Sequence, residues 1–290
     1  MSGVAEIRSR IRAVEDTRKI TRAMFLISTA KMQQAVKMHE QNLPYFRRVG
    51  EDIRYVLESV DAKARSAFFA KRPGTRAVYL VIAGDKGMCG SYNEEVLRLA
   101  GKTIRSGNHQ ETAVFTIGQM AYAHFLCLDM HPDIHYSHVA QNPSLHTARQ
   151  IGLEFFEMYQ EDLFDEAYVV YTQMGKNRAL QPKVVRLLPI LADDFQAFEP
   201  MSETTGGIEC LPSAQAALNA MAKQHLIGNI YTACVEAYVS EHCARMTAMD
   251  ASTRNADEML ARLRIEHNGA RQAAITEELN EITSGTIFAK

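Results

Sequence analysis

The stretch Arg271-Gln-Ala-Ala-Ile-Thr-Glu-Glu-Leu-Asn-Glu-Ile-Thr-Ser-Gly285 closes a helical pattern that begins near Ser213. Only Gly228 and Gly269 interrupt this pattern before its end. A second helical pattern occupies residues 3 to about 58, at the opposite end of the chain. Both patterns exceed the length that an ordinary globular core encloses. We therefore expect the two helices to pack against each other as a long antiparallel coiled coil.

The spacing of apolar residues supports this pairing. In the first pattern the expected stripe is Ile7, Ile11, Val14, Ile20, Met24 and Ile27. In the last pattern, mostly small residues step by three and four: Ile227, Ile230, Cys234, Ala237, Glu241, Ala244, Ala248 and Ala251. After a small phase slip the seam continues at Leu260, Leu263, His267, Ala270 and Ala274. A 3.5-residue spacing of small residues lets two helices approach closely.

Short apolar runs alternate with helical patterns in the middle of the chain. The predicted strands are Ala77–Ala83, Ala113–Ile117, Ile134–Val139, Tyr168–Thr172 and Lys183–Ile190, and the predicted helices are Tyr92–Ile104, Gln119–Leu128 and Ala148–Phe164. This alternation is typical of a mainly parallel sheet with right-handed crossovers. The predicted fold is α/β: a central Rossmann-like domain at 74–200, with coiled-coil helices at 1–60 and 213–288.

Composition excludes several classes of protein. None of the apolar runs approaches the roughly 18 residues of a membrane span, and the first residues lack the apolar core of a secretory signal. The five cysteines are odd in number and show no C-x-x-C spacing, so neither a disulfide framework nor a zinc site is expected. A cytosolic, bacterial location is the simplest interpretation.

Charge is distributed unevenly along the chain, although the total is only −2. Residues 1–50 contain ten Lys/Arg and four Asp/Glu and so carry +6. Residues 51–240 carry −6 and residues 241–290 carry −2. A basic first helix in an otherwise acidic protein is expected to contact an acidic surface.

Two candidate sites for ligands can be named. The turn Gly84-Asp-Lys-Gly-Met-Cys-Gly90 follows a strand and precedes a helix, as a phosphate loop does. Its G-x-x-G-x-x-G pattern lacks the G-K-[ST] of a P-loop and the G-x-G-x-x-G of a dinucleotide fold, which favours a structural turn. His131, His135 and His138 are close in sequence, but on a loop and a short strand we expect them to point apart, so no metal site is predicted. The residues suggest no catalytic constellation and no cofactor.

Three functions remain as alternatives at this point. The terminal helices suit a mechanical or scaffolding part with an acidic protein partner. The central domain could instead belong to a nucleotide- or metal-dependent enzyme, active from residues 74–200 alone. The basic stripe of the first helix could bind nucleic acid, but aromatic residues are nearly absent from it and it carries no DNA-binding motif.

Three segments carry a family resemblance. They are Glu6–Ile11 with Thr17–Met24 and Ala30–Met32; Gly87–Asn93; and Glu241–Asp250 with Asn255–Asp257, Ala270–Leu279 and Ile282–Gly285. Over essentially its whole length the chain resembles the gamma subunit of the F-type ATP synthase. Gly269 departs from that pattern by replacing a better helix former, at a cost of about 1 kcal/mol relative to alanine.

The resemblance implies a function and a set of contacts. It implies a non-catalytic central stalk that rotates inside the hexamer of alpha and beta subunits and couples proton or sodium flow to ATP synthesis or hydrolysis. Epsilon and the membrane c-ring would be further partners, on the cytoplasmic face of the bacterial plasma membrane, with no nucleic acid. The residues that match partner-binding positions of the family are Met24, Arg245, Arg271, Gln272, Thr276, Glu278, Ile282 and Phe288.

Overall fold

The structure is a computed structural model that describes residues 2–59, 67–175, 179–196, 210–211 and 213–288. The chain divides into two compact units. Unit 1 consists of Met1–Thr29 and Arg245–Lys290, and unit 2 consists of Ala30–Ala244. The sequence predicted three segments, at 1–60, 74–200 and 213–288. These are domains rather than compact units, and this division stays a prediction.

Two long helices bound the described chain. Helix α1 spans Ser2–Ser59 and helix α5 spans Ala214–Phe288. Within each unit the two helices run antiparallel. As residue numbers rise along α1, the numbers of the contacting residues on α5 fall. In unit 1 the side chains of Arg18 and Asp257 form an ion pair. In unit 2 the amide of Asn42 donates to the Tyr231 hydroxyl at 3.3 Å.

The inward stripe of α1 differs from the predicted one. Thr21 and Ser28 are buried, whereas the neighbouring Ile20 and Ile27 are 60% and 56% exposed. The prediction placed Ile20 and Ile27 in the stripe because they are apolar, and that was wrong. Alternating steps of three and four from Val14 lead to Thr21 and Ser28, and this periodicity decides which side chains face the partner helix.

The seam of α5 also differs in detail. Ile227, Ile230, Cys234 and Ala237 are buried as predicted. Beyond Ala244 the predicted Ala251 is exposed, and the buried apolar positions are Met246, Met249, Ala256, Leu260 and Leu263. The phase slip therefore lies before Met249 rather than after Ala251. A methionine fills an irregular gap well because its unbranched thioether side chain is adaptable.

Within the described residues, the α/β domain contains one five-stranded sheet in the order β3-β2-β1-β4-β5. Its strands are β1 (Arg76–Ile82), β2 (Glu111–Ile117), β3 (Ile134–Tyr136), β4 (Glu166–Met174) and β5 (Leu180–Leu188). Its helices are α2 (Tyr92–Ser106), α3 (Gln119–Cys127) and α4 (Leu145–Gln160). All strand pairs are parallel except β4 with β5. The mainly parallel, Rossmann-like fold class is confirmed.

The core of this domain explains why its strands read as continuous apolar runs. Six consecutive residues of β1, Ala77–Ile82, are each at most 3% exposed. A central parallel strand is covered on both faces, so both sets of alternating side chains must be apolar. Val96 and Ala100 of α2 and Phe125 of α3 pack in a cluster with β1 residues.

Several element ends depart from the predicted ones, and two of them, in β3 and α4, have clear local reasons. β3 ends at Tyr136 rather than Val139 because His138 adopts a left-handed conformation, with φ of 65°, and leads into the 3-10 turn Val139–Gln141. Helix α4 begins at Leu145 rather than Ala148. The hydroxyl of Ser144 caps it by accepting from the Thr147 amide at 3.1 Å.

Among the described residues, no helix combines the length and the apolar character that crossing a membrane requires.

Candidate functional site

Unit 1 is built on a seam that mixes polar and charged pairs with apolar contacts. The hydroxyl oxygens of Thr21 and Thr253 lie 2.8 Å apart across the two helices. One turn along, Arg18 Nη1 contacts Asp257 Oδ1 at 2.9 Å. Charged pairs at the edge of a coiled-coil seam set register and orientation. The two helices are therefore held in one axial alignment.

Four of the predicted partner-binding residues lie together in unit 1. Arg271, Gln272, Thr276 and Glu278 are exposed along two turns of α5. Thr276 donates its hydroxyl to the Gln272 carbonyl at 2.9 Å, which fixes its rotamer. These exposed donors and acceptors can bind a polar surface loop of another protein.

An open groove borders this cluster. Arg271 and Glu278 form part of its wall, with the first turns of α1 opposite. The lining residues are Val4, Ala5, Arg8, Arg271, Ala274, Ile275 and Glu278. The groove combines two guanidinium groups, one carboxylate and apolar flanks, so it offers both charge and apolar contact to a partner.

Met24 and Arg245 lie apart from this cluster. Arg245 is only 7% exposed, in contrast to the exposed Arg271. The 26 residues between the two arginines correspond to about 39 Å along a helix that rises 1.5 Å per residue. Met24 is half-buried on α1. The predicted contact positions are thus spread along the helix pair rather than gathered in one pocket.

Ile282 and Phe288 lie in the last turns of α5, but their side chains fall outside the described part of the structure. Their predicted contact with an apolar sleeve stays a prediction.

Large apolar side chains on the outside of unit 1 were missed from the sequence. They are Ile20, Leu26, Ile27, Met259, Ile265, Ile275 and Leu279, each between 49% and 75% exposed. Where such side chains adjoin in one patch they mark an interaction surface, so these residues are candidates for contact with a partner. Following the three-and-four spacing through Thr21 and Ser28 would have placed Ile20 and Ile27 on this outer surface.

The basic residues of α1 share that outer surface. Arg8, Arg10, Arg12 and Arg22 are exposed. Lys19 is exposed too and pairs with Asp16 at 3.0 Å on its own helix. This concentration of guanidinium groups complements an acidic partner surface.

The Gly84–Gly90 turn is closed by its own side chains. The Asn93 carboxamide accepts from the Gly84 amide at 2.9 Å and donates to the Lys86 carbonyl at 3.3 Å. Asp85 Oδ1 accepts from the backbone N–H of Gln119 at 2.8 Å. A phosphate loop presents backbone N–H groups to its ligand, but the N–H of Gly84 is bonded to Asn93 within the protein. This geometry favours the structural turn over a nucleotide site.

The three clustered histidines do not converge. His131 is exposed and its Nε2 lies 3.9 Å from Asp129 Oδ1. His135 Nδ1 lies 3.0 Å from the Thr116 hydroxyl, and His138 begins the following 3-10 turn. Within the described residues, no group of three or more His, Cys, Asp or Glu side chains is arranged to hold a metal ion.

Comparison with known proteins adds independent evidence. The family model described as ATP synthase matches residues 3–287. The ATP synthase gamma chain of Ruminiclostridium cellulolyticum is 37% identical, and the match covers 98% of both chains. The sodium-ion-specific ATP synthase gamma chain of Acetobacterium woodii is 29% identical, with 97% of both chains covered.

The fold also recurs in a solved structure. A chain from the Euglena gracilis mitochondrial ATP synthase, solved as the OSCP/F1/c-ring assembly, superposes with a TM-score of 0.68 at 19% identity. The match covers 99% of this chain and 94% of that one. The family match over nearly the full length, together with the two long terminal helices and the α/β domain between them, establishes that the chain belongs to the ATP synthase gamma chain family.

Proposed function

We propose that this chain is the central rotor shaft of an F-type ATP synthase and has no active site of its own. The observation that carries the proposal is the family match over residues 3–287. The antiparallel pair of unit 1, with its apolar and basic outer surface, agrees with it. In this proposal the helix pair lies inside a hexamer of alpha and beta subunits, which perform the catalysis.

The helix pair suits the transmission of torque. Cross-helix contacts such as Thr21 with Thr253 and Arg18 with Asp257 resist sliding of one helix along the other. A rotor shaft also needs an outer surface that differs between its sides, so that each beta subunit meets a different face at a given rotor angle. Contacts that differ between conformations shift nucleotide affinity in turn.

The proposed contacts differ in chemistry along the shaft. Arg271, Gln272, Thr276 and Glu278 would form hydrogen bonds and ion pairs with a loop of beta. Met24 and the exposed arginines of α1 would face an acidic segment of beta. We place Ile282 and Phe288 in an apolar sleeve at the tip. Each contact must break once per turn, so many weak contacts serve better than one deep anchor.

Arg245 needs a different account, because it is only 7% exposed. A buried guanidinium on the shaft would act on beta through the position of its neighbours unless the complex uncovers it. We retain it as a partner-binding residue to be tested by substitution.

The remaining partners and the location follow from the same proposal. Epsilon and the membrane c-ring would bind the α/β domain, at 74–200, on the cytoplasmic face of the bacterial plasma membrane. One copy would serve each complex. The coupling ion is a proton or sodium; the Acetobacterium woodii relative is named as sodium ion specific.

The test is reconstitution with the alpha and beta subunits of the same organism. We expect one chain to join each hexamer and ATP hydrolysis to rise when it does. Gln272→Ala and Arg245→Ala should then lower the rate of ATP hydrolysis of the reconstituted complex. Gln160→Ala, at an exposed position on α4, is the matched control. A chain that neither joins the hexamer nor changes turnover would overturn the proposal; full activity in both variants would overturn only these two residue assignments.

A further inference from the structure

The order of the strands creates a particular place in the α/β domain. From the central strand β1 the chain moves to β2 and β3 on one side, and then to β4 on the other. The carboxyl ends of β1 and β4, at Ile82 and Met174, therefore flank a topological switch point. In open α/β sheets this crevice is where ligands bind. The Gly84–Gly90 turn lies at its edge.

In this protein α5 occupies the crevice. The Ser240 hydroxyl, fully buried, donates to the Thr172 carbonyl near the end of β4 at 2.9 Å. The Tyr92 hydroxyl, at the start of α2, donates to the Ala237 carbonyl at 3.0 Å. The helix thus makes buried hydrogen bonds both to β4 and to the helix that follows β1.

A carboxylate fills the position next to the glycine-rich turn. A Cβ atom placed on Gly84 would lie 2.9 Å from Cδ and 3.1 Å from Oε1 of Glu241. Real Cβ atoms essentially never approach a heavy atom as closely as 2.9 Å, so a methyl group at Gly84 would force the Glu241 carboxylate to shift. Glu241 is 7% exposed. Where an α/β ligand site would hold an anionic ligand, this fold holds a side chain of its own helix.

These contacts share one face of α5. Glu236 and Ser240 are four residues apart, as are Ala237 and Glu241, so the four lie in two adjacent rows that form one stripe on the helix. Glu236 extends the stripe. Its Oε1 accepts from the side-chain amide of Gln173 at 2.9 Å, and its Oε2 lies 3.8 Å from Lys183 Nζ. A rotation of α5 about its own axis would break all of them together, so the stripe locks the helix against twisting relative to the sheet.

We propose that this filled switch point is a mechanical clamp through which rotation of the α/β domain passes into α5, with the Gly84–Glu241 contact at its centre. The inference rests on the proposed rotor function and assigns the clamp to four residues of α5 and to the ends of β1 and β4. Glu241 is a positioning residue in this scheme. It never meets nucleotide, and it acts by fixing the angle of the helix.

The experiment uses the whole rotary complex with Gly84→Ala, Glu241→Ala and the double variant. Gly87→Ala is the matched control, because a Cβ at Gly87 in the same turn meets nothing within 4 Å. Two quantities are measured: ions pumped per ATP hydrolysed in vesicles, and angular fluctuation of a bead attached through the exposed Cys127 on an immobilised hexamer. A melting curve of each free chain verifies folding.

The expected result is a loss of stiffness rather than of catalysis. Gly84→Ala should lower pumping per ATP by roughly threefold or more and widen the bead fluctuation, while hydrolysis by the hexamer stays near wild type. Because the double variant removes the side chain that the new methyl group strikes, it should behave no worse than Glu241→Ala alone.

Two results would separate the failures. If the wild-type complex does not couple hydrolysis to pumping, the proposed function fails. If the wild type couples but Gly84→Ala matches Gly87→Ala in both readouts, the clamp is wrong while the function stands. If Gly84→Ala lowers the melting temperature and leaves fluctuation unchanged, the contact is structural only, and the clamp is again refuted.

Discussion

The hydroxyl oxygens of Thr21 and Thr253 lie 2.8 Å apart between the two helices of unit 1. Each hydroxyl also faces a carbonyl of its own helix, Thr21 that of Arg18 and Thr253 that of Met249. Two hydroxyl protons are therefore available for three contacts: the one between the hydroxyls and one to each carbonyl. Which contact each proton makes depends on the other hydroxyl, so the two threonines are coupled.

This arrangement predicts strong coupling between the two threonines. Thr21→Val or Thr253→Val alone leaves one hydroxyl facing a methyl group and should cost about 1 kcal/mol of unfolding free energy. The double valine variant replaces both groups by apolar ones of the same shape and should be nearly neutral. Urea unfolding of the four chains forms the double-mutant cycle. Additive costs would show that the hydroxyls do not interact.

The fold was largely predictable because the central strands are apolar enough to exclude other assignments. Ala77–Ile82 is short, follows Pro73-Gly74 and contains two valines and an isoleucine, which favours a buried strand, and its alternation with helical patterns led to the parallel sheet. The antiparallel direction of β5 could not be predicted in this way. Its direction depends on the connection from β4, and apolar pattern carries no information about strand direction.

The seam shows where residue type misled. Ile20 was preferred over Thr21 because it is apolar, yet Thr21 is the residue that faces the partner helix. The contacts of the switch point were also hidden, since Tyr92 and Ala237 are 145 residues apart. Glu241 was placed in the seam from its spacing, but nothing in the sequence names Gly84 as the group beside it.

The exposed isoleucines offer a test of the outer surface of unit 1. Ile20→Gln and Ile27→Gln remove apolar surface that is already in water, so unfolding free energy should change by no more than about 0.5 kcal/mol. If this surface contacts the hexamer, both variants should bind it more weakly, as measured by co-purification with the alpha and beta subunits.

The control for this surface is its buried neighbour. Ser28, 1% exposed, should not tolerate leucine, and Ser28→Leu should cost roughly 1–3 kcal/mol by overpacking. Equal stability losses in the Gln and Leu variants would contradict the burial pattern. Unchanged assembly in both Gln variants would remove Ile20 and Ile27 from the interface.

Two glycines inside α5, Gly228 and Gly269, should respond in opposite directions to alanine. A Cβ at Gly228 would lie 2.4 Å from Phe46 Cδ1, whereas a Cβ at Gly269 meets nothing within 4 Å. Gly228→Ala should therefore destabilise the chain by roughly 1–3 kcal/mol. Gly269→Ala should stabilise it by about 1 kcal/mol, the difference in helix propensity.

Thermal unfolding of both variants measures this contrast. Phe46→Leu in the Gly228→Ala background should recover part of the loss, because it shortens the side chain that the methyl group strikes. A loss of the same size in Gly269→Ala would mean that packing in unit 1 rather than helix propensity sets its effect.

His225 gives unit 2 a predicted dependence on acid. Burial lowers the pKa of His225 to about 4, against a smaller opposing effect of the Asp194 carboxylate. Its Nε2 lies 3.0 Å from the Asn229 amide nitrogen, and its ring packs 4.9 Å from that of Phe195. The folded chain thus keeps this imidazole neutral at a pH where the unfolded chain binds a proton.

The sign of the effect follows from that difference. Between the unfolded pKa of about 6.5 and the folded value near 4, the unfolded state binds more protons, so stability falls as pH is lowered. The stability lost through His225 should be roughly 3 kcal/mol, because each pKa unit corresponds to about 1.4 kcal/mol, and the loss is complete only below pH 4. Melting of wild type and His225→Gln at pH 7, 5.5 and 4.5 measures it. The wild type should lose more than the variant at each step. His131→Gln, which alters an exposed histidine, should follow the wild-type curve, and parallel curves for wild type and His225→Gln would show that His225 is protonated equally in both states.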